Sequence, residues 1–295
     1  MNEYFRLARI LLVLAVSFGW STIARSATEE SFLPRNSMRI GIANLDDSNV
    51  TEEEFRDLIA AARSFFRPWA SRKQSQLYIH AFWNSDIVNA FAKQIGSTWT
   101  VEIHGGLVRH PAMTLDSVAL TLCHELGHHF GGLPKKKTNA AEKWQSTEGQ
   151  ADYFANLKCM RHLWDELDWF RERTAPTSPV IVKDECEKNF STLDQQNLCI
   201  RSSMAGYQLT RLLHSIKEEQ PWSQFETPDP RRVGSSISGY PSVQCRLDTF
   251  FQAALCTANK DEKLDDQFKN KGLCSRKENF SSGNRPRCWY LPNIS

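Results

Sequence analysis

His124-Glu125-Leu126-Gly127-His128 places two imidazoles four residues apart, and on a helix residues so spaced project from one face. Two such rings can each offer a nitrogen to a single metal ion, and Glu125 between them is then placed to act on a water held by that ion. A catalytic zinc takes three protein ligands and keeps one position open. Glu148, on the next predicted helix, supplies the third ligand as a carboxylate. Asp152 comes one helical turn later on the same face, where it can accept the free N–H of a ligating histidine and fix its tautomer. The pattern predicts one Zn2+ per chain on His124, His128 and Glu148, with Asp152 behind the ligands.

These side chains need two helices to carry them. Leu115, Val118, Leu122 and Leu126 recur at helical spacing, Thr114 is a capping residue, and Gly131-Gly132 closes the end, so the first helix covers 115–130. The second runs from about Ala141 to Trp164, beyond a basic loop at Lys135–Lys137, and Pro176 and Pro179 separate it from the C-terminal segments. Upstream, Met38–Ala43 reads as a short strand. Thr51 with Glu54 forms a capping box opening a helix to about Phe66, where Pro68 stops it. Leu77–Phe82 and Thr98–Ile103 read as strands, Asp86–Lys93 as helical or extended, and Gly105-Gly106 as a turn. Downstream come a helix near Leu193–Glu218, a Pro-rich loop from Pro221 to Pro241, a helix to about Cys256 and a Cys-containing tail.

The set His124, Glu125, His128, Glu148 and Asp152 resembles that of the gluzincin metallopeptidases. A nearer resemblance is to the HtpX and BepA-like family, which includes the Ste-type prenyl-protein endopeptidases: Asn89-Ala90-Phe91-Ala92 precedes a strand and Gly105-Gly106-Leu107, and Glu148-Gly-Gln-Ala-Asp152 is similar to that family's third-ligand helix. The resemblance covers about Asp86 to Tyr153, with a weaker echo to Arg246. It implies that Asn89 and Ala90 hydrogen-bond the main chain of an extended substrate. The family's His-Pro segment has its best counterpart in Tyr240-Pro241 followed by Arg246, with tyrosine in place of histidine. Tyr240 or Arg246 would then share the charge of a developing oxyanion, or Tyr240 would cover the metal, while a surface turn is the plainer reading. The spacing between His128 and Glu148 is shorter than in many members of the family.

His129 points about 100° away from the ligand face, which favours a supporting or surface role. Lys135–Lys137 reads as a solvated loop, and the 9 Trp and 17 Phe residues as core, since no basic stripe accompanies them. Arg6 and Arg9, an apolar run Ile10–Phe18 and small residues to Ala27 form an expected signal peptide over 1–27. Removing its three arginines and one glutamate from 36 basic and 34 acidic residues leaves 33 of each, and that neutrality argues against nucleic acid as a partner. No later stretch reaches the roughly 20 apolar residues of a membrane span. Eight cysteines without zinc-ribbon spacing suit disulfides in an exported, periplasmic or secreted chain. Cys186–Cys199, and Cys245 or Cys256 with Cys274 or Cys288, are the sequence-local pairings. Cys123 and Cys159 suit either a clamp between the ligand helices or buried thiols.

The expected fold is α+β and zincin-like: a small twisted sheet packed on two metal-binding helices over 28–175, with a mostly helical, disulfide-bearing region over 176–295 completing the cleft. The expected activity is that of a zinc metalloendopeptidase acting on polypeptides, with Glu125 as general base. The alternative is a chaperone-like or binding protein with a latent or structural zinc site.

Overall fold

The computed structural model describes residues 28–43, 49–137, 144–217 and 220–292. The expected leader, residues 141–143 of the expected second metal helix and Glu218 lie outside the described residues.

Four strands form one mixed sheet: β1 (Thr28–Ser31), β2 (Gln76–Phe82), β3 (Ala90–Ile95) and β4 (Thr98–His104), in the order β1-β3-β4-β2. β2 and β4 run parallel, β3 is antiparallel to β4, and β1 is antiparallel to β3. Alternation sets the faces: Trp99, Val101 and Ile103 turn inward from β4, and Leu77 and Ile79 from β2. Met38–Ala43 does not form the expected strand and makes a single bridge, Arg39 to Ile87. The reason is a competing donor: the buried Arg109 guanidinium takes the Ile40 carbonyl at 2.9 Å, as well as those of Trp83 and Ser85. The strand on this side comes instead from Thr28–Ser31.

Helix α1 (Glu52–Ser71) starts at the Thr51–Glu54 capping box but runs through Pro68 instead of stopping there. A mid-helix proline costs about 3 kcal/mol. Phe66 and Ala70, on either side of it, are fully buried, and Phe66 packs 5.4 Å from both Trp69 and Phe130, so tertiary burial outweighs the local preference.

After the short α2 (Gly105–Val108), α3 (Leu115–Phe130) is the central helix and has the expected bounds. Thr114 caps the Ser117 amide, and Ser117 returns the bond to the Thr114 amide. Asp116 in its first turn is held by the buried Arg201, 2.9 Å away in the C-terminal half. The second ligand helix is α4 (Glu148–Phe154), continued by a π-helical turn (Ala155–Cys159) and α5 (Met160–Glu166). In the π turn Asn156 donates its side-chain amide to the carbonyls of Phe250 (2.8 Å) and Ser202 (3.2 Å), tying this rod to two C-terminal helices.

The C-terminal half contains α6 (Asp168–Arg171), α7 (Val180–Asn189), α8 (Leu193–Lys217) and α9 (Val243–Leu255). The sequence reading assigned no element to α7. One core runs unbroken from Phe32 and α1 through α3 to Val243, Phe250 and Trp289, so the C-terminal residues share the core of the sheet and ligand helices. All eight cysteines pair: Cys123–Cys159, Cys186–Cys199, Cys245–Cys288 and Cys256–Cys274. Four disulfides suit an oxidising, exported environment. Among the described residues no helix is long and apolar enough to cross a membrane.

Candidate metal centre

Among the described residues α4 begins at Glu148, and residues 145–147, expected in the same helix, are used to turn the chain. Ser146 bridges back to Lys135, its amide donates to the His128 carbonyl at 3.0 Å, and the Thr147 amide donates to the Pro134 carbonyl. Gln150 donates its side-chain amide to the Gly131 carbonyl at 2.7 Å, satisfying the end of α3 from the start of α4. The pairings His124 with Asp152, Gly127 with Ala151 and His128 with Ser146 show the two helices running antiparallel.

This packing brings His124, His128 and Glu148 together, each without exposed surface, with one ligand atom from each lying within 4.8 Å of the others. His124 Nε2 lies 3.3 Å from Glu148 Oε2, and His128 Nε2 lies 3.7 Å from Glu148 Oε1. A tetrahedral ion with bonds of about 2 Å spaces its donors roughly 3.3 Å apart, so the cluster has the size of a metal site. Among the described residues His128 Nε2 is buried without a hydrogen-bond partner, and His124 Nε2 and Glu148 Oε2 have only each other, an arrangement that a cation among the three would satisfy. Glu148 Oε1 accepts a bond from Lys136 Nζ at 2.9 Å, which leaves Oε2 as the ligand oxygen.

The far nitrogens are fixed as a ligand pair requires. His128 Nδ1 lies 2.9 Å from the Ser146 carbonyl, which can only accept, so this nitrogen carries the proton and Nε2 the lone pair. His124 Nδ1 lies 2.7 Å from Asp152 Oδ1. Asp152 is gripped in turn by Arg246, whose Nε and Nη2 donate to its two oxygens at 2.8 and 2.7 Å. Burial opposes a charge on His124, but Asp152 and Glu148 outweigh it and hold its pKa up at about 9. Burial wins at His128 and pushes it down to about 3. Burial would raise Glu148 as well, yet His128, His124 and Lys136 hold it well below the carboxylate range.

Two glycines allow the close approach. A Cβ on Gly127 would stand 2.8 Å from both the Cα and the carbonyl oxygen of Ala151, so here the helices touch backbone to backbone. A Cβ on Gly149, next to Glu148, would lie 2.3 Å from the Trp289 ring, which packs over that turn. The Cys123–Cys159 bond clamps the same two rods beside His124.

Glu125 is fully buried on α3 between the two histidines. Arg246 faces Asp152, and its remaining Nη1 reaches the Phe32 carbonyl at 3.3 Å, so it supports a ligand where the sequence suggested that it shares an oxyanion's charge. The Tyr240 hydroxyl donates to the Ser31 carbonyl. Asn89 and Ala90, expected as a substrate-binding edge, are engaged by the chain itself. Leu33 donates its amide to Asn89 Oδ1 at 3.0 Å and accepts from Asn89 Nδ2 at 3.2 Å, and Phe32 donates to the Ala90 carbonyl at 3.1 Å. His129 is neither a ligand nor at the surface: it is buried between Trp99 (5.0 Å) and Trp144 (4.7 Å), and burial pushes its pKa down to about 3.

The expectation of a solvated Lys135–Lys137 loop fails at two positions. Lys136 is buried on Glu148, and Lys135 bonds the Trp144 carbonyl at 3.0 Å and Asp266 at 2.9 Å. Three consecutive lysines give no local sign of such burial, because their partners lie on segments distant in sequence or across the turn. Phe32 is the other residue missed: its ring lies edge-on to His124 at 5.0 Å and 4.8 Å from the Arg246 guanidinium. Comparison with protein-family models, with curated proteins and with solved structures finds no match to this chain.

Proposed function

We propose that the chain is an exported zinc metalloendopeptidase with a zincin-like fold of the gluzincin kind. The observation that carries this reading is the convergence of His124 Nε2, His128 Nε2 and Glu148 Oε2, with Glu125 between the histidines and Asp152 behind one of them. A site that only stabilised the fold would be expected to close its fourth position with protein, and among the described residues the cluster counts three donors.

His124, His128 and Glu148 would hold the ion, and zinc there would supply Lewis-acid polarisation of a scissile carbonyl and of water. The protein's own part is set by position. Glu125 takes the proton of the attacking water and delivers it to the leaving amine, so one carboxylate acts as base and then as acid. Asp152 keeps His124 Nδ1–H directed away from the ion, and Arg246 holds the Asp152 carboxylate in place. Lys136 occupies one oxygen of Glu148 and leaves the other to the ion.

A second reading, a holding protein with a latent or structural zinc, draws on the complete burial of His124, Glu125, His128 and Glu148. Casein digestion by the purified, oxidised, zinc-loaded chain, with Glu125→Gln beside it, separates the two. Cleavage by the parent and none by the variant, at equal zinc content, supports the peptidase. Equal cleavage by both refutes the role of Glu125, and no cleavage by either favours the second reading.

A further inference from the structure

A peptide that belongs to the chain packs against His124, one of the three candidate ligands. β1 lies antiparallel on β3, pairing Thr28 with Gln94, Glu30 with Ala92 and Ser31 with Phe91, so it covers the edge of β3 that faces away from β4. The pairing continues past the strand: Phe32 donates to the Ala90 carbonyl, and Asn89 uses its carboxamide to accept from the Leu33 amide and donate to the Leu33 carbonyl. The Ser31 carbonyl accepts from the Tyr240 hydroxyl, and the Phe32 carbonyl from Arg246. Every one of these bonds goes to the main chain of residues 31–33, which any extended polypeptide could supply. Besides the Ser31 hydroxyl, 3.3 Å from that of Tyr240, the exception is the Phe32 side chain. It has no exposed surface, stands edge-on to the ligand His124 at 5.0 Å, and lies 4.8 Å from the guanidinium that holds Asp152.

We propose that Thr28–Leu33 is a built-in peptide ligand, seated in the groove where β3, Asn89, Tyr240 and Arg246 receive an extended polypeptide with a large aromatic residue at the Phe32 position. Its release is what opens the metal centre. That an incoming polypeptide would be cleaved rests on the peptidase reading; the groove, its occupant and the seal over the metal do not. An incoming polypeptide must displace six residues of the protein's own chain, so an intact short peptide is a poor competitor and an unfolded protein, which offers many such segments, is a better one.

The test reads metal access and peptide binding separately from catalysis. The zinc-loaded, oxidised chain is mixed with excess 1,10-phenanthroline and the rate of zinc loss is followed, for the parent, Phe32→Ala and Tyr240→Phe. A fluorescein-labelled peptide Thr-Glu-Glu-Ser-Phe-Leu-Pro-Arg-Asn, the sequence of residues 28–36, is titrated into each. Phe32→Ala is expected to lose zinc at least about tenfold faster and to bind the peptide that the parent excludes, with the Phe-to-Ala version of the peptide at least about tenfold weaker. Added peptide should slow zinc loss from the variant again. Zinc loss within about twofold of the parent, together with no peptide binding by a variant with parental near-ultraviolet circular dichroism, overturns the proposal. If Phe32→Ala does not fold, Tyr240→Phe decides, since it removes only the hydroxyl that bonds the Ser31 carbonyl and hydroxyl, from a half-buried loop residue: zinc loss about threefold faster supports the proposal and an unchanged rate refutes it. Casein cleavage is scored apart. Shifts in zinc loss and peptide binding without any cleavage sustain the built-in ligand and refute the peptidase reading.

Discussion

Gly127→Ala isolates the contact between the ligand helices. The added methyl would meet the Cα and carbonyl oxygen of Ala151 at 2.8 Å, about 0.6 Å short of an ordinary contact. Both atoms are main chain, so no side-chain rotation relieves the clash and α3 and α4 must part by roughly that distance. His124 and His128 ride on α3 and Glu148 on α4, so parting the helices stretches the donor triangle, whereas ligand distances in metal sites hold to about 0.2 Å. Two effects oppose each other in stability: alanine gains about 1 kcal/mol over glycine in a helix interior, and overpacking costs about 1–3 kcal/mol. The melting temperature therefore shifts little. Zinc affinity carries no propensity gain and should fall at least about tenfold, or about 1.4 kcal/mol, in competition with a chromophoric chelator. Adding Ala151→Gly should restore none of this, because the atoms met are not that methyl. Parental zinc affinity in Gly127→Ala, or rescue by the double substitution, would show that backbone contact does not set the ligand spacing.

Asp152→Asn removes the acceptor charge behind His124 and leaves Arg246 buried without its carboxylate; zinc should bind about 10 to 100-fold more weakly by chelator competition, and unchanged affinity refutes the assigned support. His124, held up at about 9, is protonated in the metal-free chain at neutral pH and must lose that proton to bind zinc, so affinity should rise about tenfold per pH unit from about 6.5 to 9 and level off above. Calorimetry at about pH 7 in buffers of different ionisation enthalpy should show about one proton released, and an affinity flat across that range contradicts the assignment. Replacing Cys123 and Cys159 together by alanine opens a loop spanning a sequence separation of 36 and should lower stability by about 4 kcal/mol, read as a fall of several degrees in the melting temperature; an unchanged melt would mean that packing alone holds the rods.

The metal cluster was legible because its information is local. The histidines four apart lie on a helix whose cap and apolar spacing are themselves written in a short window, and the carboxylate pair one turn apart shares one helix face, although the start of that helix was not legible. Asp152 could be assigned for the same reason. Less visible were features that depend on a distant partner. Met38–Ala43 has the composition of a strand, but the Ile40 carbonyl is taken by Arg109, far along the chain. α1 continues past Pro68 because Phe66 and Ala70 are buried by α3 and its neighbours. α7 has little amphipathic contrast and is fixed through Cys186–Cys199. Thr28–Leu33 comes directly after the expected leader, and nothing in its composition announces that β3 will pair with it.

Trp289, which covers Gly149 beside a metal ligand, comes directly after Cys288, and the partner of Cys288, Cys245, directly precedes Arg246. One cystine thus sets both the lid of the α4 turn and the guanidinium that steadies Asp152. Segments from opposite ends of the described sequence, Phe32 and Trp289, close over the same centre. The consequence is temporal: a chain emerging from N to C during export has synthesised every ligand long before the residues that hold them are available. Metal capture should therefore be a late event, after emergence of the tail and oxidation of Cys245 with Cys288, and a chain still short of that bond has its ligands present but not yet arrayed.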